Sequence, residues 1–533
     1  MTRSSKPLPA APVFEVELKL SLPSTQFDRL KRHPALKTIS PHRAVIAELD
    51  AVYFDTPELA LQAQGIAVRL RQAAGNWVQT VKTRGEATGG LHQRPEWEFP
   101  SNGRDLCFEQ ISDLRVRAVL ESPTVRPRLI PVFRTRFRRW ARLLVLPDGG
   151  RIELALDQGE ILVGEASEAI SEVELELKAG HADALFQLAL ALLPQLALFP
   201  EQRSKAERGY RLYANAPVEP RRMALPSLKP GFTVRQACAV FLAGALTALQ
   251  NNLGGARLGV DPEFLHQVRV ALRRLRTTLS LFKAALAHEE LTEIKASLRN
   301  LMRELGPARE WDVMLNDTLP AVALGRADAK ALAWLKSAAQ QQRDRAQTRA
   351  RCALGAPETA RLLILLGAMV SRLHAGPSDA RTDAGSEEPR LASFARQALR
   401  RRGRRGVLNA EQMAALDTNG RHEWRIALKK LRYASDFLAP LLLGRRDSRR
   451  WIAALSSLQD ILGLLNDAET SFALLAPLQA AAAGSDPPGT ANCGNMEAVA
   501  WVRGYAEGLA QAGLKQLEPL RKSLRQRPAP WKQ

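Results

Sequence analysis

The sequence predicts an α+β protein in two parts, an antiparallel β-barrel followed by an all-α domain of two similar four-helix bundles. Three observations carry this expectation. Through residues 12–213, short segments alternate charged and apolar residues with the period of two that a half-buried strand requires. Beyond residue 231, Ala, Leu, Arg and Gln recur at helical spacing almost to the end. Between the two textures, residues 214–231 hold Pro217, Pro220, Pro226 and Pro230 with few apolar residues, the composition of a linker. A chain of 533 residues exceeds what one ordinary core accommodates, so the boundaries read as 12–213, 214–231 and 232–525.

Charge separates the halves as clearly as texture does. Residues 1–220 hold 29 Lys+Arg against 27 Asp+Glu, and residues 221–533 hold 47 against 28. The net charge of +21 therefore belongs almost wholly to the helical part, and a field of that sign favours polyanions. Cys107, Cys238, Cys352 and Cys493 are scattered with no Cys-x-x-Cys pair, which points away from a disulfide framework and from a thiolate zinc site. No apolar run precedes the first acidic segment, and Leu185–Phe199 is interrupted by Gln187, Pro194 and Gln195. Neither a signal peptide nor a membrane span is expected, and the cytoplasm is the expected location.

The first strand, Phe14–Leu20, aligns Glu15, Glu17 and Lys19 on one face and Val16, Leu18 and Leu20 on the other. A short helix follows within Pro23–Lys37, capped by Ser21 or Ser24. Ile46–Asp55 runs into the turn signal Thr56-Pro57, and Ile66–Gln72 and Trp77–Thr83 flank Gly75-Asn76 as a hairpin. Arg69 and Arg71 share a face of the first hairpin strand, and Lys82 lies on the second. Gln93–Phe99 aligns Arg94, Glu96 and Glu98. In Val132–Leu146, Arg134, Arg136 and Arg138 alternate with Thr135, Phe137 and Arg139, so Arg136 and Arg139 point to opposite faces and only one can join the others. Arg151–Asp157 aligns Glu153 with Asp157, and Ile170–Leu177 aligns Glu172, Glu174 and Glu176. Exposed strands mix charges freely, whereas these largely segregate by sign. A barrel with its charged faces inward would collect both signs around one lumen, where a metal–polyphosphate ligand satisfies both.

The Glu15-x-Glu17-x-Lys19 start, Tyr53-Phe54-Asp55-Thr56, Arg69-x-Arg71, Gln79–Lys82, Gly89–Glu96, Ile152–Gly159 and Ser204–Tyr210 together resemble a CYTH domain over residues 12–213. The resemblance implies an eight-stranded triphosphate tunnel that hydrolyses inorganic triphosphate with Mg²⁺ or Mn²⁺. By motif position it makes Lys19, Arg69, Arg71, Lys82, Arg94, Arg136 or Arg139, Lys205 and, more weakly, Arg208 the phosphate ligands. It makes Glu15, Glu17, Asp157, Glu172 and Glu174 the metal ligands or water activators, with Glu176 able to replace Glu172. Adenylyl cyclase and thiamine-triphosphate hydrolysis also occur among CYTH relatives, and a purely binding role is the non-enzymatic alternative. No nucleophilic side chain is required, and His92 is expected to be a loop contact.

The helical half is governed by a repeat. His266-Gln-Val-Arg-Val-Ala-Leu-Arg-Arg-Leu-Arg276 matches His422-Glu-Trp-Arg-Ile-Ala-Leu-Lys-Lys-Leu-Arg432, and Leu305–Glu310 matches Leu462–Asp467 further on. On a helix, His266, Arg269, Arg273 and Arg276 fall on one face, as do His422, Arg425, Lys429 and Arg432. Arg274 and Lys430 sit one position away. Two solvated faces would have no reason to repeat a histidine in register. The repeat resembles the CHAD domain, which implies two bundles related by a pseudo-two-fold, binding of inorganic polyphosphate along the stripe, and association with polyphosphate granules. Aromatic residues are sparse, so nucleic acid is the less favoured polyanion. The breaks 376–389 and 484–494 read as mobile loops, and the basic tail Arg521–Lys532 is expected to be disordered.

Overall fold

The computed structural model describes residues 11–73, 75–226, 228–229, 231–286, 290–324, 329–375, 390–483 and 490–532. They form two compact units, Met1–Glu219 with Pro357–Ala375, and Pro220–Ala356 with Gly376–Gln533.

The first unit is built on β1 (Val13–Ser21), β2 (Val45–Asp55), β3 (Ile66–Ala73), β4 (Asn76–Thr83), β5 (Glu86–Thr88), β6 (Leu91–Ser101), β7 (Ile130–Val145), β8 (Arg151–Val163), β9 (Ala166–Ala179) and β10 (Phe199–Pro200). The order β1-β9-β8-β7-β2-β3-β4-β6 closes on itself through β1–β6, giving the eight-stranded antiparallel barrel, with β5 and β10 added at its margins. The barrel is inverted relative to an ordinary small one. Its charged faces point inward, and its apolar outer faces are the ones that need cover. Leu18, Leu20, Leu154, Leu156, Val173 and Leu175 on β1, β8 and β9 are fully buried, as are Leu185, Phe186 and Ala189 of the helix Asp183–Leu192. Around β3, β4 and β6, Val68, Val81, Trp97 and Phe99 pack with Phe108, Ile111 and Leu120.

Residues from far along the chain belong to this unit. The helix Pro357–Ala375 buries Leu362–Val370 almost completely, and its Gly367 lies so close to Phe186 that a Cβ there would stand 2.7 Å from the ring and 3.2 Å from the Gly89 carbonyl oxygen. Arg372 Nη1 donates to Asp183 Oδ1 at 2.8 Å. The predicted short helix after β1 divides into a 3₁₀ turn, Ser24–Gln26, and the helices Phe27–Lys31 and Pro34–Lys37. Neither expected serine caps it, because Ser24 lies inside the 3₁₀ turn and Ser21 is the last residue of β1.

The second unit is helical, and its two repeats follow the same order. Val234–Leu258, Pro262–Leu281, Glu290–Glu304 with the short helices Gly306–Val313, Met314–Thr318 and Leu319–Ala323 after it, and Ala329–Gly355 form the first. Leu391–Gly406, Thr418–Leu442, Arg445–Ala483 and Thr490–Arg525 form the second. Phe241 stacks on Phe437 and Phe282 on Phe394, joining the two repeats through aromatic contacts. Val234–Leu258 is long and apolar enough to cross a membrane, and 61% of its most apolar window is buried within the protein, as a core helix requires. Of the two expected mobile breaks, residues 376–389 and 484–489 lie outside the described residues, while 490–494 open a helix. The tail corrects the expectation of disorder. Pro530–Lys532 forms a 3₁₀ turn whose Trp531 meets Trp451 edge to face at 5.4 Å.

Candidate active site

The alternation of β1 aims Glu15, Glu17 and Lys19 into the lumen, and the register brings them beside complementary rows. Glu15 lies opposite Arg94 of β6, Lys19 opposite Glu174 of β9, and Arg139 of β7 opposite Asp157 of β8. The side chains close these pairs. Lys82 Nζ donates to Glu15 Oε2 at 2.8 Å, Arg94 donates to Glu15 at 2.9 Å and to Glu17 at 3.1 Å, and Lys19 binds Glu17 and Glu174. Arg139 spans Asp157, at 2.7 Å, and Glu174. Arg71 pairs with Glu98 at 2.6 Å, and Lys82 also reaches Glu96 at 3.2 Å.

One cation enters from outside the strands. Ser204 and Glu207 form a reciprocal capping box at the start of the helix Lys205–Tyr213, which fixes its first residue. Lys205 Nζ thereby lies 2.8 Å from each of Asp157, Glu172 and Glu174, and Arg208, one turn on, binds Glu168 at 2.7 Å and also Glu172. Glu15, Glu17, Lys19, Arg71, Lys82, Arg94, Glu96, Glu98, Arg139, Glu174 and Lys205 line a cavity of about 250 Å³, whereas Asp157, Glu172 and Arg208 are not part of its lining.

The electrostatics follow from burial opposed by close counter-charge. Burial alone would raise the Glu15 carboxyl, but Lys82, Arg94 and Lys19 overcome it and hold the group well below the usual carboxylate range. The same contest, won by Lys19, Lys205 and Arg139, depresses Glu174. Burial would lower Lys205, yet Asp157, Glu172 and Glu174 raise it well above an ordinary lysine. Glu176 behaves oppositely. It faces Glu153 across the strands, and burial, with Glu15 and Glu153 nearby, raises it despite an ion pair to Lys178 at 2.6 Å. Among the described residues no three carboxylates meet as a ready-made metal cage, since lysines and arginines clasp them. The donor set still fits a hard divalent cation, because it consists of carboxylate oxygens.

Arg136 is not in the lumen. It lies on the outer face of β7 with Arg134 and Arg138, its side chain 55% exposed and 3.8 Å from Asp50, while Thr135, Phe137 and Arg139 face inward. Glu172 and Glu176 both face inward, with Glu172 held by Lys205 and Arg208 at one end and Glu176 at the other. His92 is the second residue of β6 rather than part of a loop, and its Nε2 lies 3.2 Å from the Glu201 carbonyl oxygen.

In the helical unit the two stripes converge. Arg273 acts on both Arg425 and Lys429, and Arg269 also acts on Lys429, across from the helix Pro262–Leu281 to Thr418–Leu442. Burial and then Arg425 and Arg273 push the Lys429 ammonium down to about 7; burial and then Arg273 bring Arg269 to about 10. Burial, with Arg309, Arg273 and Arg269, lowers His266. The buried Nε atoms of Arg273, Arg274 and Arg425 have no hydrogen-bond partner. Arg432 is tied down instead, donating to Gln459 at 2.7 Å and to Asp436 at 3.2 Å, and Arg276 and His422 are exposed. The second repeated segment supplies the nearest carboxylates, Glu310 acting on Arg269 and Asp467 on Arg425 and Lys429.

The family model for the CYTH domain matches residues 14–210, and that for the CHAD domain matches residues 241–476. The chain carries a CYTH domain followed by a CHAD domain. A protein of Haemophilus influenzae described as inorganic triphosphatase is 34% identical over 199 residues, which cover 37% of this chain and 54% of that relative; the chain thus matches about half the relative's length. The CHAD domain of the plant Ricinus communis, known as a crystal structure, is 29% identical, covers 58% of this chain and 98% of its own, and superposes with a TM-score of 0.48. PptA from Streptomyces chartreusis is 18% identical over 55% of this chain and 100% of its own, with a TM-score of 0.40.

Three residues of these sites were not singled out from sequence. In the CYTH barrel, Tyr53 accepts a hydrogen bond from Arg69 Nη1 at 3.3 Å and so orients it. Its inward parity with Ala51 and Leu49 was the available signal. Phe137 underlies Lys205, whose Nζ stands 5.1 Å from the ring centroid. In the CHAD domain Arg309, which presses on His266, lies in the second repeated segment, where its counterpart Asn466 carries no charge. Asp55, by contrast, carries part of a CYTH motif for structural reasons: its carboxylate accepts from the backbone N–H groups of Thr56, Leu61 and Gln62 at 2.7–2.8 Å.

Proposed function

We propose that the CYTH domain hydrolyses inorganic triphosphate with a divalent metal and that the CHAD domain binds inorganic polyphosphate. The observation that carries the first reading is the lumen itself, in which Lys19, Lys82, Arg94, Arg139 and Lys205 hold carboxylates while the buried Nε atoms of Arg69 and Arg71 have no acceptor. Such donors fit an incoming phosphate chain. Water attacks the terminal phosphorus, the bridging P–O bond breaks, and pyrophosphate leaves. The work of the protein is to align the chain and neutralise its charge. Arg69, Arg71, Lys82 and Arg94 line one side of the lumen, and Lys19, Arg139 and Lys205 the other. Glu15, Glu17, Asp157, Glu172, Glu174 and Glu176 would hold Mg²⁺ or Mn²⁺, which supplies charge neutralisation and a lowered water pKa.

The converged cations of the CHAD domain, with orphaned arginine Nε atoms, support the second reading. Polyphosphate is a repeating anion without bases, so the converged stripes need offer it only charge. Phosphate release from triphosphate by the full chain in Mg²⁺ or Mn²⁺ tests the enzyme. Activity should vanish in E15A/E17A, and formation of cyclic AMP from ATP would replace the triphosphatase with a cyclase.

A further inference from the structure

A second cationic surface lies on the CHAD unit away from the stripes. The helix Leu391–Gly406 carries Arg396, Arg400, Arg401, Arg402, Arg404 and Arg405 with no acidic residue, and the helix Arg445–Ala483 opens with Arg445, Arg446, Asp447, Ser448, Arg449 and Arg450. The two runs are joined at one point. Trp531 packs against Gly403, where a Cβ would collide with its ring, and meets the buried Trp451 edge to face. Only glycine permits that approach. The ordered tail therefore clamps both arginine runs around a single tryptophan pair.

The arginines of these runs are turned to solvent. Arg400, Arg401, Arg404, Arg405, Arg445, Arg446, Arg449 and Arg450 are exposed, and among the described residues the ion pair found for them is Arg450 to Asp447 at 3.8 Å. Burial and the neighbouring Arg401 bring Arg402 down to about 10, as uncompensated crowding requires. Every cation in the two runs is arginine, whose planar fork binds phosphate oxygens in pairs. The surface is distinct from the stripe. Trp424 and Leu431 of Thr418–Leu442 meet Gly406 of the arginine helix, whereas Arg425 and Lys429 face Arg273.

We propose that this arginine face binds a further segment of the same polyphosphate chain whose other segment occupies the stripe cleft. This rests on the polyphosphate reading of the cleft. A phosphate polymer suits the face better than single-stranded nucleic acid, because its cations are all arginine while Trp451 is buried and Trp531 is engaged by Trp451 and Gly403 and so not presented as a stacking platform. Joining two sites on one flexible polymer makes the second contact intramolecular, so long chains gain affinity that short ones do not.

The test compares long-chain and short-chain polyphosphate on the full-length protein. R401E/R404E/R449E, all at exposed positions, should weaken long-chain binding by about tenfold or more and flatten its salt dependence, leaving short-chain binding unchanged. R401K/R404K/R449K should keep most of the long-chain advantage. R273E, in the cleft, should weaken both. An unchanged long-chain affinity in the triple glutamate variant overturns the proposal. So does loss of duplex nucleic-acid binding in that variant with polyphosphate binding intact, which would assign the face to nucleic acid. Short-chain binding that survives R273E would instead overturn the cleft reading and leave the face to be judged by the triple variant alone.

Discussion

Lys205 and Asp157 form a buried ion pair at 2.8 Å, although one opens a helix and the other lies midway along β8. The same ammonium touches Glu172 and Glu174, which it shares with Arg208 and with Arg139 and Lys19, and Asp157 is shared with Arg139. Removing Lys205 takes one cation from this buried cluster while Arg139, Lys19 and Arg208 still hold the carboxylates, so the cost lies below the roughly 3–5 kcal/mol of a fully broken buried pair. K205M is expected to lower the melting temperature in the absence of ligand and to abolish triphosphate turnover. Thermal unfolding with a parallel phosphate-release assay reads both effects. A variant as stable as the parent would contradict the pairing.

Arg139 and Arg136 provide an internal control within one strand. Arg139 spans Asp157 and Glu174 inside the barrel, whereas Arg136 lies outside near Asp50. R139A should reduce phosphate release at least a hundredfold, on the scale of losing one preorganised electrostatic contact. R136A should leave turnover within about twofold, because an exposed pair at 3.8 Å contributes little. Loss in R136A with turnover kept in R139A would mean that the strand faces the other way.

The contrast also explains what the sequence could carry. Alternation identified every strand that lines the lumen, because a period of two survives in any register. It could not decide between Arg136 and Arg139, since β7 bears basic residues on both faces, and only the pairing of Arg139 with Asp157 across β8 does so. Tyr53 was hidden for a related reason: an aromatic residue of inward parity reads as core until Arg69 is seen donating to its hydroxyl. In the CHAD repeat, helical spacing aligned His422 with Lys429, yet His422 is exposed while Lys429 faces the opposing stripe. A helix face is broader than its contact line, and the partner helix selects which part is used. The assignment of Pro357–Ala375 to the barrel unit was beyond the reach of local pattern altogether, because its apolar residues suit any helical core.

That helix yields a stability prediction. Gly367 leaves no room for a side chain between Phe186 and the Gly89 backbone, and Phe186 is itself fully buried and cannot swing away. G367L should therefore overpack this contact and destabilise the unit by about 1–3 kcal/mol. Differential scanning calorimetry of the full chain should show a lowered transition, with triphosphate turnover lost at a lower temperature. An unchanged transition would show that the barrel does not depend on this helix.

The polyphosphate binding proposed for the stripes would be linked to pH through Lys429. On its own helix it faces Arg425; from Pro262–Leu281 it faces Arg269 and Arg273, and from Arg445–Ala483 it faces Asp467. Burial and this surplus of positive charge push its pKa from 10.5 down to about 7. Between those values the unfolded chain binds the extra proton, so Lys429 opposes folding least at high pH, and its contribution to stability rises as pH increases from about 7 to 10.5. Anion binding has the opposite sign. Phosphate in the cleft favours the ammonium, so above pH 7 capture takes up a proton and affinity falls as pH rises, by up to about tenfold per unit for one proton. Calorimetric titration with short-chain polyphosphate in buffers of different ionisation heat should register this uptake at pH 8. K429R keeps its charge across the range and should bind with no Lys429-linked proton uptake; an uptake equal to that of the parent would place the titrating group elsewhere.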